Sequence, residues 1–239
     1  MLNLSKLEDP VAGVPPEVWR SGSFQRWYLA QRAAGNVLRD AQLLWSLHVG
    51  DNAAEPFLWV MRVAVHVEAE NRVKANEVVI SRPDISAVAL YRPASTLDET
   101  PVVLIREFRS PGSTPDGFVR ELPSGSGSEP DARAQAVVEL AEETGFAVDA
   151  DRLRAHGSRQ CAATLSAHHA HLFSAAITQD ELDRLRAGLG EAHGAEDSDG
   201  EERTWLEIAT FGEIRRGRTV DWTTLGMLAQ VLLEDEEHR

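Results

Sequence analysis

Hydrophobic and polar residues recur with different periods along the chain, and these periods predict its elements. From Pro15 to Val49, aromatic and aliphatic side chains stand at helical spacing among polar positions, which predicts one or two accessory helices. Residues 57–84 first alternate and then become continuously apolar, as strands do. The next two apolar runs, ISAVALYRP and PVVLIREF, are separated by a polar, turn-like segment and predict a buried hairpin.

The second half of the chain alternates between strand and helix patterns. Residues 110–131 are dense in Gly, Pro, Ser and Asp, which predicts a loop containing a short strand at FVREL. Strong helix formers follow in ARAQAVVELAEETGF, and Gly145 is the expected C-terminal cap of that helix. The remaining patterns predict strands at RAHGSR and AHLFSAAI, a helix at DELDRLRAG, a polar loop at EAHGAEDSDGEE, a strand at TWLEIAT and a closing helix near VDWTTLGMLAQVLLED.

Composition and charge narrow the classes of protein. The chain has 239 residues, 43% of them hydrophobic, which is enough for one large domain or for a domain with an accessory piece. A net charge of −14 repels phosphate backbones, so nucleic-acid binding through a basic surface is not expected. The single Cys161 excludes an internal disulfide and suits a reducing compartment, and no segment resembles a secretion signal or a membrane span. We therefore expect a cytoplasmic protein.

Three glutamates form an acidic cluster on the helix that precedes Gly145. Glu139, Glu142 and Glu143 stand at positions i, i+3 and i+4, so their side chains converge on one helical face, which we expect to be exposed. They repel one another and the negative end of the helix dipole, so a divalent cation would compensate their charge. Mg²⁺ or Mn²⁺ suits such oxygen ligands and can bridge to substrate phosphates. A solvated acidic face is the alternative interpretation.

The string VELAEETGF resembles the second half of the Nudix box. Upstream, LIREFRSP and FVRELPSG resemble the corresponding strand and turn of ADP-ribose pyrophosphatases, and downstream DGEERTWLEI and RTVDWTTLGMLAQVL resemble their catalytic loop and C-terminal helix. The resemblance extends over roughly Glu77 to Leu233. It implies an α/β fold, a Nudix α/β/α sandwich with a mixed sheet, over residues 77–239. Residues 1–76 would then be an N-terminal accessory region of helices and strands that forms a homodimer.

The resemblance also implies a metal site that holds Mg²⁺ or Mn²⁺. Glu139 and Glu143 match the box glutamates that bind the catalytic metals, and Glu142 matches a further ligand or a water-mediated contact. The backbone carbonyl of Ser124 falls where the family uses another ligand. In this interpretation Glu139 and Glu143 are both metal ligands and catalytic residues.

Three further residues match substrate-binding and catalytic positions of the family. Arg109 and Glu121 match residues that contact substrate, and a planar guanidinium suits bidentate binding of phosphate. The two residues could instead be structural partners of one another. Glu201 matches the loop glutamate that acts as general base. The register of this match is open by a few positions, because other acids lie beside it: Asp197, Asp199 and Glu202.

The first half of the box departs from the family pattern. Ser124 stands where glycine is expected, Pro130 where a metal-binding glutamate is expected, and Val138 where an arginine orients the glutamates. Glu129 or Asp131 could replace the ligand lost at Pro130, although neither has the family spacing. A site without the arginine should hold metal less firmly.

Two other groups of residues have alternative interpretations. A zinc site would use histidines and the thiol, but their spacing favours ordinary strand or loop residues: His168, His169, His171 and Cys161. Aromatic residues of the N-terminal region could stack on an adenine, but core packing is the favoured role of each: Trp27, Trp45 and Trp59.

Two functions follow from the sequence. The first is a divalent-metal-dependent pyrophosphohydrolase that cleaves a nucleoside diphosphate linked to another moiety, with ADP-ribose or a nucleotide sugar as the leading substrate. The second is a Nudix-derived binding or regulatory protein that keeps the ligand pocket without turnover, motivated by Pro130 and Val138. The first explains the acidic cluster and is favoured.

Overall fold

The computed structural model describes residues 11–49, 55–126, 131–194 and 203–237. The chain divides into two compact units, each built from two segments. Unit 1 comprises Met1–Asp84 and Gln160–His169, and unit 2 comprises Ile85–Arg159 and Ala170–Arg239. The predicted boundary between residues 76 and 77 falls within a strand of unit 1 and remains a prediction.

Unit 1 packs two helices against a three-stranded antiparallel sheet. Its elements are α1 (Pro16–Arg20), α2 (Gly22–Ala33), β1 (Val37–Leu47), β2 (Leu58–Val67) and β3 (Arg72–Ser81), and the strand order is β1-β2-β3. Ser21 begins α2, because its hydroxyl accepts a hydrogen bond from the Phe24 amide. Phe24 packs edge-on against Trp59, and both side chains are fully buried in the core of this unit.

The helix predicted up to Val49 is wrong beyond α2. Gly35 adopts a left-handed φ of +79° and ends the helical segment, and β1 follows at once. The pairing of β1 with β2 shifts register between Leu38 and Asp40 and again between Leu43 and Trp45. Each bulge inserts a residue, so the apolar positions lose the period of two that would have indicated a strand.

Unit 2 contains a mixed sheet of eight strands. They are β4 (Ile85–Tyr91), β5 (Pro101–Phe108), β6 (Phe118–Glu121), β7 (Ser124–Gly125), β8 (Arg154–Gln160), β9 (His169–Ala176), β10 (Ala192–His193) and β11 (Thr204–Thr210). The order is β10-β11-β5-β4-β9-β8, while β6 pairs with β5 and β7 with β4. β4 and β9 are parallel and the pair β4 and β5 is antiparallel, which confirms the predicted hairpin and the mixed sheet.

Helices cover both faces of this sheet. They are α3 (Ala132–Thr144), α4 (Gln179–Ala187), α5 (Phe211–Gly217) and α6 (Trp222–Glu236). Alternate residues of β4 face opposite cores: Val88 packs in the core that contains Leu140 of α3, and Ala89 packs in the core that contains Leu228 of α6. The α/β class is thereby confirmed, with one layer of helices on each face of the sheet.

Most local predictions for unit 2 are confirmed. α3 ends at Gly145, whose φ of +65° is left-handed, and the short strand at FVREL is β6. The sequence reasoning missed α5, although Thr210 and Glu213 form a capping box that is visible in the sequence. In the part of the chain that the structure describes, no helix is long and apolar enough to cross a membrane.

Candidate active site

The N-terminus of α3 is fixed by Asp131. Its carboxylate accepts hydrogen bonds from the amides of Arg133 and Ala134, at 2.8 and 2.9 Å. The carboxylate that we considered as a replacement metal ligand is therefore engaged as a helix cap. The other candidate, Glu129, lies outside the described residues, as does Pro130.

Glu143 is buried, with an exposed fraction of 4%, so the expectation that this part of the helical face is exposed was wrong. Its Oε2 accepts a 2.7 Å hydrogen bond from the main-chain amide of Ser124 in β7. Its own carbonyl accepts a hydrogen bond from the hydroxyl of Thr204 in β11, at 3.1 Å. Residues far apart in the chain therefore bond to the carboxylate and to the main-chain carbonyl of Glu143, which the helical pattern alone does not predict.

Glu139 lies directly against Gly125, the residue after Ser124. A Cβ atom on Gly125 would lie 2.2 Å from the carboxyl carbon of Glu139, so a larger residue there would require the end of the Glu139 side chain to move. Gln135, one turn earlier on α3, donates a 2.6 Å hydrogen bond to Glu139 Oε1. The two carboxylates at positions 139 and 143 thus converge on two consecutive residues of β7.

The third glutamate of the cluster lies apart from this pair. Glu142 is exposed and makes no hydrogen bond or ion pair with any residue that the structure describes. Ser124 contacts α3 through its main-chain amide, which bonds to Glu143. The role of its carbonyl as a metal ligand remains a prediction. Within residues 11–49, 55–126, 131–194 and 203–237, no group of three or more His, Cys, Asp or Glu side chains is arranged to hold a metal ion.

Arg109 joins two carboxylates at the end of β5. Its Nη2 lies 2.7 Å from Oε2 of the buried Glu107, and its Nε lies 3.7 Å from Oε1 of Glu121. Glu121 stands opposite Ile105 across β5 and β6. The structure therefore brings Arg109 and Glu121 together, as the alternative interpretation of a structural pair required, and nearly half of the Arg109 side chain stays exposed to solvent.

A cavity of about 540 Å³ in unit 2 adjoins this pair. The loop after β5, strand β6 and the segment before α6 line it, with these polar residues: Arg109, Ser113, Thr114, Arg120, Glu121, Arg218, Thr219, Asp221 and Thr224. Arg120 is held on two sides, because it forms two hydrogen bonds with Asp116, at 2.9 and 2.7 Å, and two with Glu207, at 3.1 and 3.2 Å. These contacts hold the pKa of the Asp116 carboxyl well below its usual range.

The predicted general base, Glu201, lies outside the described residues, together with its alternatives Asp197, Asp199 and Glu202. Val138, at the arginine position of the box, is half-buried on α3. Glu139 and Glu143 both lie against β7, and Leu140 packs α3 into the core of the sheet.

A buried polar group that the sequence reasoning missed links α6 to the sheet of unit 2. The imidazole of His156 in β8 lies 2.6 Å from Glu234 Oε2 through Nδ1 and 2.7 Å from Ser174 Oγ through Nε2. Hydrogen bonds, first from Gln230 and then from His156, hold the pKa of Glu234 below its usual value. The order serine, histidine, carboxylate resembles a hydrolytic triad, but Ser174 has an exposed fraction of 2% and lies within a strand, so the group is structural.

Three of the residues considered for zinc or for adenine, His168, Trp59 and Trp45, lie in unit 1. His168 is packed beside Ser166, and burial, followed by the nearby Arg82, lowers the pKa of its imidazole. Trp59 is a core residue, as expected, and donates a 2.9 Å hydrogen bond to Ser23. Trp45 has an exposed fraction of 52%, so its predicted core role was wrong.

No protein-family model matches the chain, and no curated protein matches it significantly.

Proposed function

We propose that this chain has a Nudix fold and is a divalent-metal-dependent pyrophosphohydrolase. Its substrate would be a nucleoside diphosphate linked to another moiety, with ADP-ribose or a nucleotide sugar as the leading class. One observation carries the proposal: the carboxylates of Glu139 and Glu143 converge on Ser124 and Gly125. A loop that receives two acids from one helix is the arrangement that the resemblance to the Nudix box implies.

The chemistry of this donor set fits Mg²⁺ or Mn²⁺. Both ions prefer hard oxygen ligands, and Mg²⁺ usually takes one or two carboxylates together with substrate phosphates. Glu139 and Glu143 would hold the ion, with the Ser124 carbonyl and Glu142 as further candidates. When bound, the ion would supply positive charge that stabilises the phosphoryl oxygens and activates water.

The residues of the chain would have distinct tasks in this reaction. Arg109 would bind a phosphate through its guanidinium, and Glu121 would hold that guanidinium in place. Gln135 would orient Glu139 by the hydrogen bond that it already donates. Glu201 would accept a proton from the attacking water as general base.

A second function, ligand binding without turnover, is favoured by a different observation. The Ser124 amide already satisfies one oxygen of Glu143, and the carboxylate of Asp131 caps α3. Both acids then have structural roles that persist without a metal. In this alternative the cavity beside Arg109 binds a nucleotide, and Val138 reflects a site that has lost its catalytic arrangement.

One experiment separates the two functions. Purified protein is incubated with a panel of ADP-ribose, nucleotide sugars and dinucleoside diphosphates, with Mg²⁺, with Mn²⁺ and with EDTA, and the release of monophosphate products is measured. The hydrolase predicts products that depend on metal. Binding of a panel member by calorimetry in EDTA, without products after long incubation, would instead establish the second function.

We also propose a homodimer formed through unit 1, in the cytoplasm. The support for the dimer is that β1 lies at the edge of its sheet and exposes four large apolar side chains: Val37 at 42%, Leu44 at 49%, Trp45 at 52% and Leu47 at 39%. Such a strand is suited to pairing with its counterpart in a second copy. Light scattering at micromolar concentration tests the dimer.

A further inference from the structure

The cavity beside Arg109 contains a cation that the proposed catalytic residues do not use. Three arginines and two carboxylates are among the residues that line it. Arg109 contacts Glu121, and Arg120 is held by carboxylates outside the cavity. The carboxylate of Asp221 accepts a 2.7 Å hydrogen bond from the Thr224 amide and caps α6.

Arg218 differs from the other two arginines. Its guanidinium forms no hydrogen bond or ion pair with any residue in the described part of the chain, although the chain as a whole is strongly acidic. The lining of the cavity therefore contains an exposed guanidinium to which no carboxylate bonds within the described part of the chain. An anion is the ligand that such a charge attracts, and a guanidinium binds phosphate oxygens in pairs.

Arg218 is the C-cap residue at which α5 ends. Its φ of +54° is left-handed, and among the described residues the only other non-glycine residue with a positive φ is Asn71. Two residues later, Val220 forms a parallel bridge with Arg120 in β6. The segment is thus attached to the strand that also carries Glu121, and this attachment, together with the end of α5, holds Arg218 at the cavity.

The cavity is close along the chain to Ser124, one of the candidate metal ligands. Glu121, which lines it, precedes Ser124 by three residues, and three residues of extended chain span at most about 11 Å. A nucleoside diphosphate derivative whose diphosphate lies near Ser124 can therefore extend into the cavity.

We propose that Arg218 is a substrate-binding residue that contacts a phosphate of the nucleoside diphosphate, opposite Arg109 in this cavity. The inference rests on the proposed function for the identity of the ligand. The two arginines then hold the diphosphate from two segments of the chain, the loop after β5 and the segment between α5 and α6.

The test uses Arg218→Gly, because glycine adopts the left-handed conformation freely and removes the guanidinium. Calorimetry in EDTA measures the binding of inorganic phosphate, inorganic pyrophosphate and ADP to the full chain. We expect the variant to bind pyrophosphate and ADP about tenfold more weakly than the parent, since a hydrogen-bonded charge is lost. Its melting temperature should be no lower than that of the parent. Arg218→Lys should be intermediate, because it keeps the charge and loses the planar fork.

Arg216→Ala is the matched control. It removes the same charge two residues earlier, where the guanidinium bonds to Asp98 at 3.1 Å and does not line the cavity. Equal affinities of the parent and Arg218→Gly for pyrophosphate and ADP would overturn the proposal, as would an equal loss in Arg216→Ala. An effect on inorganic phosphate alone would also overturn it, because the site would then be one for the free ion.

The same variants distinguish this inference from the proposed function. Binding of ADP that depends on Arg218, in a protein that releases no product, would overturn the hydrolase and leave the Arg218 site in place. Metal-dependent turnover with an unchanged KM in Arg218→Gly would instead overturn the Arg218 site and leave the hydrolase in place.

Discussion

The main-chain amide of Ser124 donates a 2.7 Å hydrogen bond to the carboxylate of Glu143, which joins β7 to the end of α3. The bond replaces water around a carboxylate that is almost fully buried. The bond also fixes the position of Glu143 relative to β7, so a substitution of either residue would alter the position of the other. Two predictions follow from the contacts of Glu143 and Glu139 with β7.

Glu143→Gln should fold and should lose hydrolase activity. Glutamine keeps an oxygen that accepts from the Ser124 amide, but the charge is lost, and we expect the free energy of unfolding to fall by about 1 kcal/mol. A product-release assay and a thermal melt measure the two effects. Full turnover by this variant would show that Glu143 is not a metal ligand. Glu142→Gln is the control, because Glu142 is exposed, and it should change stability little.

Gly125→Ala should displace the Glu139 carboxylate. The new methyl group would coincide with that carboxylate, which lies at the end of a flexible side chain and would move away, so we expect a small loss of stability and a strong loss of activity. Gly226→Ala is the matched control, since nothing lies within 4 Å of a Cβ there and its helical position favours alanine by about 1 kcal/mol. Chemical denaturation compares the variants. Unchanged stability and turnover in Gly125→Ala would contradict the close approach of Glu139 to Gly125.

Val138→Arg tests the altered half of the box. In a weakened enzyme, the added donor should orient the glutamates and raise kcat/KM several-fold, because charge-assisted hydrogen bonds fix ligand positions. In a protein that only binds its ligand, the variant should remain without turnover. The rate of product formation with Mg²⁺ and with Mn²⁺ decides between them.

Glu181 should make stability depend on pH in the acid range. Two hydrogen bonds from Arg152, followed by the amide of Thr178, lower the pKa of Glu181 from 4.5 to about 2. Because the folded pKa is depressed, this stabilisation is fully present above pH 4.5 and is lost as the pH falls towards 2. Glu181→Gln keeps the capping box of α4 and should lower stability at pH 7 by about 1 kcal/mol. Urea denaturation from pH 7 to pH 2.5 should show the parent and the variant converging, whereas a constant difference would rule out this origin.

Trp45→Lys should shift the protein towards monomer. The indole is exposed on the edge strand β1, and a charged residue there opposes pairing between strands. Light scattering should give the mass of a dimer for the parent and a lower mass for the variant, with unchanged circular dichroism. A parent that is monomeric at micromolar concentration would contradict the dimer.

The sequence predicted elements whose signals are local. The helix formers of α3 and its cap at Gly145 lie within one segment of the sequence. The alternation of buried and less buried residues in β2 is likewise visible in the residues of that strand alone. β1 was mistaken for a helix because two bulges disturb the period of its apolar positions, and bulges depend on the partner strand. α5 was missed although its capping box is local.

The candidate site was predictable only in part, because some of its contacts join residues that are far apart in the chain. The spacing of Glu139 and Glu143 follows from the sequence of one helix. The burial of Glu143 depends on Ser124 and Thr204, which lie 19 and 61 residues away in the chain. Contacts of this kind, including that of His156 with Glu234 across 78 residues, leave no periodic signal.

The division of unit 1 into two chain segments has a consequence for how the protein is made. Ser166 bridges to Ile80 at the free edge of β3, and the amide of His169 donates to Asp84. A ribosome adds roughly 5–20 residues per second, so His169 is synthesised roughly 4–17 s after Asp84. During that time the edge of β3 lacks its contact with residues 160–169. During this interval the nascent chain displays an unpaired strand to its neighbours. Chaperone occupancy and early misassembly should therefore concentrate at β3 during synthesis.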